Sequence, residues 1–156
     1  MKNEAFTLTD DLLASQGQRF LNYCIDLAFI YIIVLSIGTT LILIGEVFNM
    51  IAVSNWVETL SMAEKGFYGA VIAFLYYCLT EMYFSRTIAK LITHTIVTNR
   101  DGLRPTKKSF LIRSLCRFIP LEVFSFFGLT ARGWHDAFSN TYVVRKRKLA
   151  EKKTLY

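Results

Sequence analysis

Asp26 lies at the start of an apolar segment long enough to cross a membrane, and this feature constrains the chain most. The following residues, 27–44, carry no charged side chain. Counted from Phe20, the segment reaches the ~20 apolar residues that span ~30 Å of hydrocarbon. A carboxylate at or below the membrane surface costs about 3 kcal/mol on insertion scales unless it is paired or hydrated. Asp26 is therefore a candidate functional residue.

Helix geometry names Arg19 as a candidate partner of Asp26. Seven residues at ~100° each return to the same helix face ~10 Å along the axis, and Asn22 lies between them on that face. The sequence therefore predicts a polar stripe of Arg19, Asn22 and Asp26 at the start of the first span.

The composition is typical of a membrane protein. Hydrophobic residues make up 53% of the 156 residues, and a mean hydropathy of +0.36 is too apolar for one small soluble domain. The net charge is +6, but the basic residues cluster beside the hydrophobic segments, which argues for cytoplasmic loops and against nucleic-acid binding. Residues 1–18 contain three acidic residues and lack a basic n-region, so we expect no cleaved signal peptide.

A second apolar segment, residues 66–84, can also span a membrane, and Glu81 lies near its far end. Residues 46–65 carry three acidic residues and one lysine, whereas residues 85–112 carry six basic residues. The positive-inside rule then places the N-terminus in the cytoplasm, the first connection outside and the second inside. Within these connections, residues 49–60 and 87–98 are predicted to form short amphipathic segments, the first on the outer surface and the second on the cytoplasmic side.

The third apolar segment, residues 110–130, is a poor span because it contains Arg113, Arg117, Pro120 and Glu122. The tail at 145–156 carries six Lys or Arg residues, and a complete third crossing would place it outside. We therefore favour a broken, re-entrant or steeply tilted segment that leaves the membrane on the cytoplasmic side. A third complete span is the alternative.

These patterns predict one all-α integral membrane domain over residues 1–156, with spans at about 20–44 and 66–84. We expect no metal, cofactor or catalytic residue, because the three cysteines lack C-x-x-C spacing and no HExxH motif occurs. An enzyme is accordingly the least favoured class.

The motifs at the two ends of the chain resemble those of the RDD family of small bacterial membrane proteins, named for one arginine and two aspartates. Residues 18–26, QRFLNYCID, are similar to the opening motif, with Arg19 and Asp26 as the first two signature residues. Trp134-His135-Asp136, followed by a T-x-V-V pattern, resembles the closing motif and makes Asp136 the second aspartate.

The middle of the chain carries the resemblance less completely. Residues 86–90, RTIAK, are similar to the family's G-x-T-x-G-K segment, but Arg86 and Ala89 stand where glycines are usual. Arg113 matches the arginine that usually opens the third segment. The resemblance implies a multi-pass protein of the bacterial inner membrane. The candidate residues for charge pairing or ion binding are Arg19, Asn22, Asp26, Glu81, Arg113, His135 and Asp136.

Two functional hypotheses follow from these residues. In the first, Asp26 and Asp136, with Glu81 as a further candidate, bind a cation or carry protons in a sodium/proton-exchange type of transporter, with Arg19 competing for the carboxylates. Such a small chain would need to work as an oligomer to enclose a path. In the second, Arg19 and Asp136 form a buried clamp, and the protein is a structural or accessory module that binds lipid, further copies of itself or other membrane subunits. The residues favour the second hypothesis slightly.

We predict that both basic segments are cytoplasmic. In a chain without its native cysteines, Lys108→Cys and Lys152→Cys should resist an impermeant maleimide in intact cells and react once the membrane is permeabilised. Labelling at position 152 from outside would mean that residues 110–130 form a third complete span.

Overall fold

The computed structural model describes residues 8–118 and 133–154, and within them it places a short 3-10 helix at Asp10–Leu12, seven α-helices and two strands. In chain order the α-helices and strands are α1 (Gln16–Val47), α2 (Ile51–Thr59), α3 (Met62–Phe84), α4 (Ile88–Ile92), β1 (Thr95–Thr98), α5 (Lys107–Cys116), α6 (Trp134–Phe138), β2 (Tyr142–Arg145) and α7 (Lys146–Lys153).

Among the described residues, two helices, α1 and α3, are long and apolar enough to cross a membrane. They contain the predicted spans at 20–44 and 66–84. The 32 residues of α1 extend ~48 Å at ~1.5 Å per residue, which exceeds the ~30 Å of a hydrocarbon core. α1 is therefore long enough to carry Arg19 beyond the hydrocarbon.

Both long helices begin at a serine that forms a capping box. The Gln18 amide donates to Ser15 Oγ at 3.3 Å, and the Ser15 amide donates to Gln18 Oε1 at 3.2 Å. The same exchange joins Ser61 and Glu64 at the start of α3, at 3.3 and 2.8 Å. These bonds satisfy amides that have no partner within the first helical turn, so the local sequence fixes where each helix starts.

The chain divides into two compact units, and the first comprises Met1–Asp26 and Tyr77–Tyr156. Its described residues include a two-stranded antiparallel sheet in which β1 and β2 pair with Thr95 opposite Arg145. The fold is mostly helical, as predicted, but this small sheet is an addition to the all-α expectation. Residues 87–98 were predicted as one amphipathic segment and divide into α4 and β1, because β1 acquires a partner strand that lies far away in sequence.

Apolar side chains pack on one face of this sheet. Leu12, Val144 and Leu149 form a buried cluster that joins the N-terminal segment, β2 and α7. The Ala14 amide donates to the Val143 carbonyl at 2.9 Å, so the segment before α1 runs along β2. The start of α1 is thereby held beside the sheet.

Local hydrogen bonds stabilise two connections of this unit, a helix cap and a turn. Thr87 caps α4, since its side chain accepts a hydrogen bond from the Lys90 amide. Residues 99–102 form a turn, in which the Gly102 amide donates to the Asn99 carbonyl at 3.1 Å and Gly102 has a φ of 67°.

The second unit, Leu27–Tyr76, contains α2 and the adjoining parts of α1 and α3. α2 confirms the short helix predicted in this connection. A Cβ added at Gly45 on α1 would lie 2.9 Å from the Ser54 nitrogen on α2, and the ring of Trp56 meets Tyr68 edge-on at 5.6 Å. α2 therefore packs closely on α1 where glycine leaves room for its backbone.

The third apolar segment is described only in part. α5 ends at Cys116, and residues 119–132, with Pro120 and Glu122, lie outside the described residues. The broken hairpin and the third complete span both stay predictions.

We predict that Gly45→Ala destabilises the protein by about 1–3 kcal/mol, because the new methyl group meets the backbone of Ser54. The midpoint of thermal unfolding in detergent should fall. Gly38→Ala is the matched control on the same helix: no heavy atom lies within 4 Å of its added Cβ, so stability should be unchanged or higher. Equal midpoints for the two variants would contradict the close packing of α2 on α1.

Candidate functional site

One face of α1 carries three polar side chains into the interior of the first unit. Arg19, Asn22 and Asp26 are 4%, 4% and 1% exposed. Their spacing of i, i+3 and i+7 places them on successive turns of one face. The polar stripe predicted from the sequence is present, and each of its members contacts a different part of the unit.

Arg19 joins α1 to the C-terminal part of the chain. One of its terminal nitrogens lies 2.5 Å from Asp136 Oδ2, and its Nε donates to the Ala14 carbonyl at 3.2 Å. Helix geometry alone named Asp26 as the partner, whereas the guanidinium pairs with Asp136, 117 positions away in sequence. The Arg19–Asp136 clamp of the second hypothesis is therefore present in the structure. Spacing along one helix could not have shown it, because the two residues lie on different elements.

Asp26 and Asn22 hold the segment that follows α3. Asp26 Oδ2 accepts a hydrogen bond from Thr87 Oγ1 at 2.7 Å, and its Oδ1 accepts one from the Ala89 amide at 3.2 Å. Asn22 Nδ2 donates to Thr95 Oγ1 at 3.2 Å. The Asp26 carboxylate therefore lies at the start of α4, and Asn22 lies against β1.

Arg113 on α5 bridges two carboxylates. Its Nε lies 2.8 Å from Glu81 Oε2, and a terminal nitrogen pairs with Asp136 Oδ1. The same terminal nitrogen donates to Thr141 Oγ1 at 2.5 Å. All four residues are 0% exposed. Arg113 thereby connects the end of α3 with α6 and the start of β2.

Glu81 accepts two further cations. Lys90 Nζ pairs with Glu81 Oε1, and a terminal nitrogen of Arg117 lies 3.0 Å from the same oxygen. The Arg117 guanidinium also lies over the Tyr77 ring, 4.1 Å from its centroid. A cation stacked on an aromatic face gains electrostatic energy from the ring quadrupole, so Arg117 has two stabilising contacts.

We refer to these joined side chains as the charge network. Its members are Arg19, Glu81, Lys90, Arg113, Arg117 and Asp136. Four cations and two carboxylates give a formal charge of +2, and the nearby Asp26 brings the sum to +1. His135 adjoins the network, with Nε2 3.4 Å from Asp136 Oδ1. Charges can be buried in this way because each is paired with an opposite charge, which offsets the cost of removing it from water.

The surroundings lower the pKa values of two network members, which favours the charged form of Asp136 and the neutral form of Lys90. Burial raises the pKa of Asp136, but its electrostatic interactions with His135 and Arg113 outweigh burial and hold the pKa well below its usual range. Burial lowers the pKa of Lys90 while Glu81 raises it, and the balance is a pKa of about 8. Asp136 is therefore ionised at neutral pH, and Lys90 can exchange a proton at a pH slightly above neutral.

A small cavity of about 10 Å³ adjoins the network, with Asn22, Tyr23, Asp26 and Lys90 among its lining residues. That is room for about one water molecule. No group of three or more His, Cys, Asp or Glu side chains that could hold a metal ion occurs in the part of the chain that the structure describes.

All seven candidate residues from the sequence lie in the first unit and take part in the contacts above. Sequence reasoning missed Lys90 and Arg117 as members and Thr87 and Thr141 as hydrogen-bond partners. Two signals were available. Lys90 lies within the short apolar run that forms α4, and Arg117 follows Arg113 by one helical turn.

Two helices of membrane-spanning length, together with a buried charge network in the first unit, fit a small integral membrane protein. The sequence profile of the RDD family matches residues 13–142, and the chain belongs to this family of membrane proteins. The resemblance seen in the motifs is thus confirmed over most of the chain. No curated protein and no solved structure gives a significant match.

We predict that Arg19→Ala and Asp136→Ala each lower the free energy of unfolding by about 3–5 kcal/mol, because each leaves a buried charge without its partner. The double variant should lose much less than the sum of the two, as expected for residues in direct contact. Denaturant unfolding of the purified protein measures both effects.

Arg147 and Glu151 provide the matched control for this cycle. Their side chains are 90% and 63% exposed and pair at 3.1 Å within α7. Alanine at either position should change stability by less than ~1 kcal/mol. Additive losses at Arg19 and Asp136 would place these residues in separate environments.

Proposed function

We propose that this RDD-family protein is a structural or accessory module of an assembly in the bacterial cytoplasmic membrane, with its N-terminus and basic tail in the cytoplasm. One observation carries the proposal: Arg113, fully buried, pairs with both Glu81 and Asp136. Side chains that neutralise one another in this way fix how helices and strands are arranged.

Saturation of the carboxylates supports a structural role over ion binding. The two oxygens of Asp136 are paired with Arg19 and Arg113, and those of Glu81 with Arg113 and two further cations. A transported cation would have to displace a guanidinium or ammonium group from these oxygens. Removing one partner of a buried pair costs about 3–5 kcal/mol, so release of the carboxylates is unfavourable.

The second unit supports an accessory role. Large apolar side chains of α1 and α3 are exposed along the segments that would cross the bilayer; Leu35, Leu43 and Val71, for example, are 49%, 58% and 41% exposed. In a membrane such faces contact lipid or the helices of another subunit. We propose that a further copy of this chain or another membrane subunit shares these faces with lipid.

The alternative function is a cation or small-solute transporter of the sodium/proton-exchange type that works as an oligomer. Asp26 favours it, because this carboxylate is only 1% exposed and lines the small cavity. Arg19, Lys90 and Arg117 line the same cavity, however, and their charges oppose the binding of another cation. The electrostatic balance therefore favours the structural proposal, which assigns no catalytic role to these residues.

Asp26→Asn distinguishes the two functions, because it removes the charge while preserving the shape. Under the structural proposal, the wild-type protein shows no flux above empty proteoliposomes in sodium, potassium or proton gradients. The variant has a lower unfolding temperature, because an amide cannot accept both hydrogen bonds made by Thr87 and Ala89. Glu46→Gln, at an exposed position on the same helix, should leave stability unchanged.

The partner can be sought in the same preparation by measuring subunit mass and co-purifying proteins in nanodiscs. A stoichiometric partner or a defined oligomer is expected from the proposal. Reproducible wild-type flux that Asp26→Asn abolishes in a still-folded protein would contradict it and favour transport.

A further inference from the structure

α5 and the turn that follows it have two faces of opposite character. Phe110, Arg113 and Ser114 face the interior and are 1%, 0% and 0% exposed. Their spacing of i, i+3 and i+4 places them on one face of the helix. The inward face of α5 therefore carries the bridging arginine of the charge network.

The outward side is apolar. Leu111, Leu115 and Phe118 follow one another at i, i+4 and i+7 and are 39%, 60% and 43% exposed. A helix on the surface of a soluble protein has the reverse pattern, with leucines inward and charges in water. Exposed apolar side chains opposite a buried arginine fit surroundings that are themselves apolar.

Charge is distributed along the same outward side. Lys107 and Lys108 are exposed at the first positions of α5, about one turn before Leu111. The side thus changes from basic at the start of the helix to apolar at its end. This order suits a helix that passes from lipid headgroups towards acyl chains, since lysines bind anionic headgroups and leucines prefer hydrocarbon.

We propose that the outward side of α5 is a lipid-binding surface of the first unit. Lys107 and Lys108 bind the phosphate groups of anionic phospholipids, and Leu111, Leu115 and Phe118 contact acyl chains, with the end of the helix deeper than its start. This assignment goes beyond the structural role proposed above. It also explains how a core made of ion pairs is shielded from water, because lipid covers the helix that carries Arg113.

Nitroxide labels on single cysteines test the depth of α5. They are placed at Lys108, Leu111 and Leu115 in a chain without native cysteines, reconstituted in vesicles of phosphatidylethanolamine and phosphatidylglycerol. Collisions with oxygen should rise relative to collisions with a water-soluble nickel complex from 108 to 115. A label at Arg147, which is 90% exposed on α7, is the aqueous control and should collide freely with the nickel complex.

Two results would overturn the proposal. Nickel accessibility at 111 and 115 equal to that at 147 would place this side of α5 in water. An immobilised label that neither oxygen nor nickel reaches would place protein on it, and spin–spin broadening would identify a second copy as the occupant.

A second measurement keeps the native cysteines and does not depend on the cysteine-free background. A benzophenone amino acid in place of Leu115 should, on illumination, attach to phospholipid in the same vesicles. Attachment to a protein in place of lipid would contradict the proposal.

Discussion

The contact of Arg113 with Glu81 and Asp136 is the interaction on which the first unit depends. Glu81 lies near the end of α3 and Asp136 lies in α6, so one guanidinium ties together parts of the chain that are 55 positions apart. Asp136 also pairs with Arg19, and Glu81 also pairs with two further cations, so each carboxylate is neutralised by more than one positive charge. Removal of Arg113 would leave two buried carboxylates short of a partner at once.

The rest of the unit follows from placing these charges inside. Polar and charged side chains fill much of its interior, and the α1 stripe of Arg19, Asn22 and Asp26 contacts α6, β1 and α4 in turn. Leucines and phenylalanines lie on the outside of the same elements. Such an arrangement is costly in water and is favoured where lipid covers the surface, since hydrocarbon strengthens interactions between buried charges and tolerates exposed leucines.

Features encoded locally could be predicted from the sequence, whereas most features that need distant partners could not. Hydropathy located both spans, and spacing on one helix located the polar stripe of α1. Local geometry named Asp26 as a partner of Arg19, whereas the observed partner Asp136 is 117 positions away and was reached only through the clamp hypothesis, which joined residues of the two end motifs. β1 was missed because its four residues form a strand only when β2 pairs with them. Lys90 was missed because its buried partner, Glu81, lies on another helix.

Hydrogen–deuterium exchange of Arg113→Met in nanodiscs tests the central claim most directly, with Arg147→Met on the exposed side of α7 as its control. If Arg113 holds the unit together, the amides that pair β1 with β2 should exchange ~100-fold faster in Arg113→Met, which corresponds to about 3 kcal/mol of lost stability. The control should exchange like the wild type. Equal protection of these amides in both variants would contradict the claim that Arg113 organises the first unit.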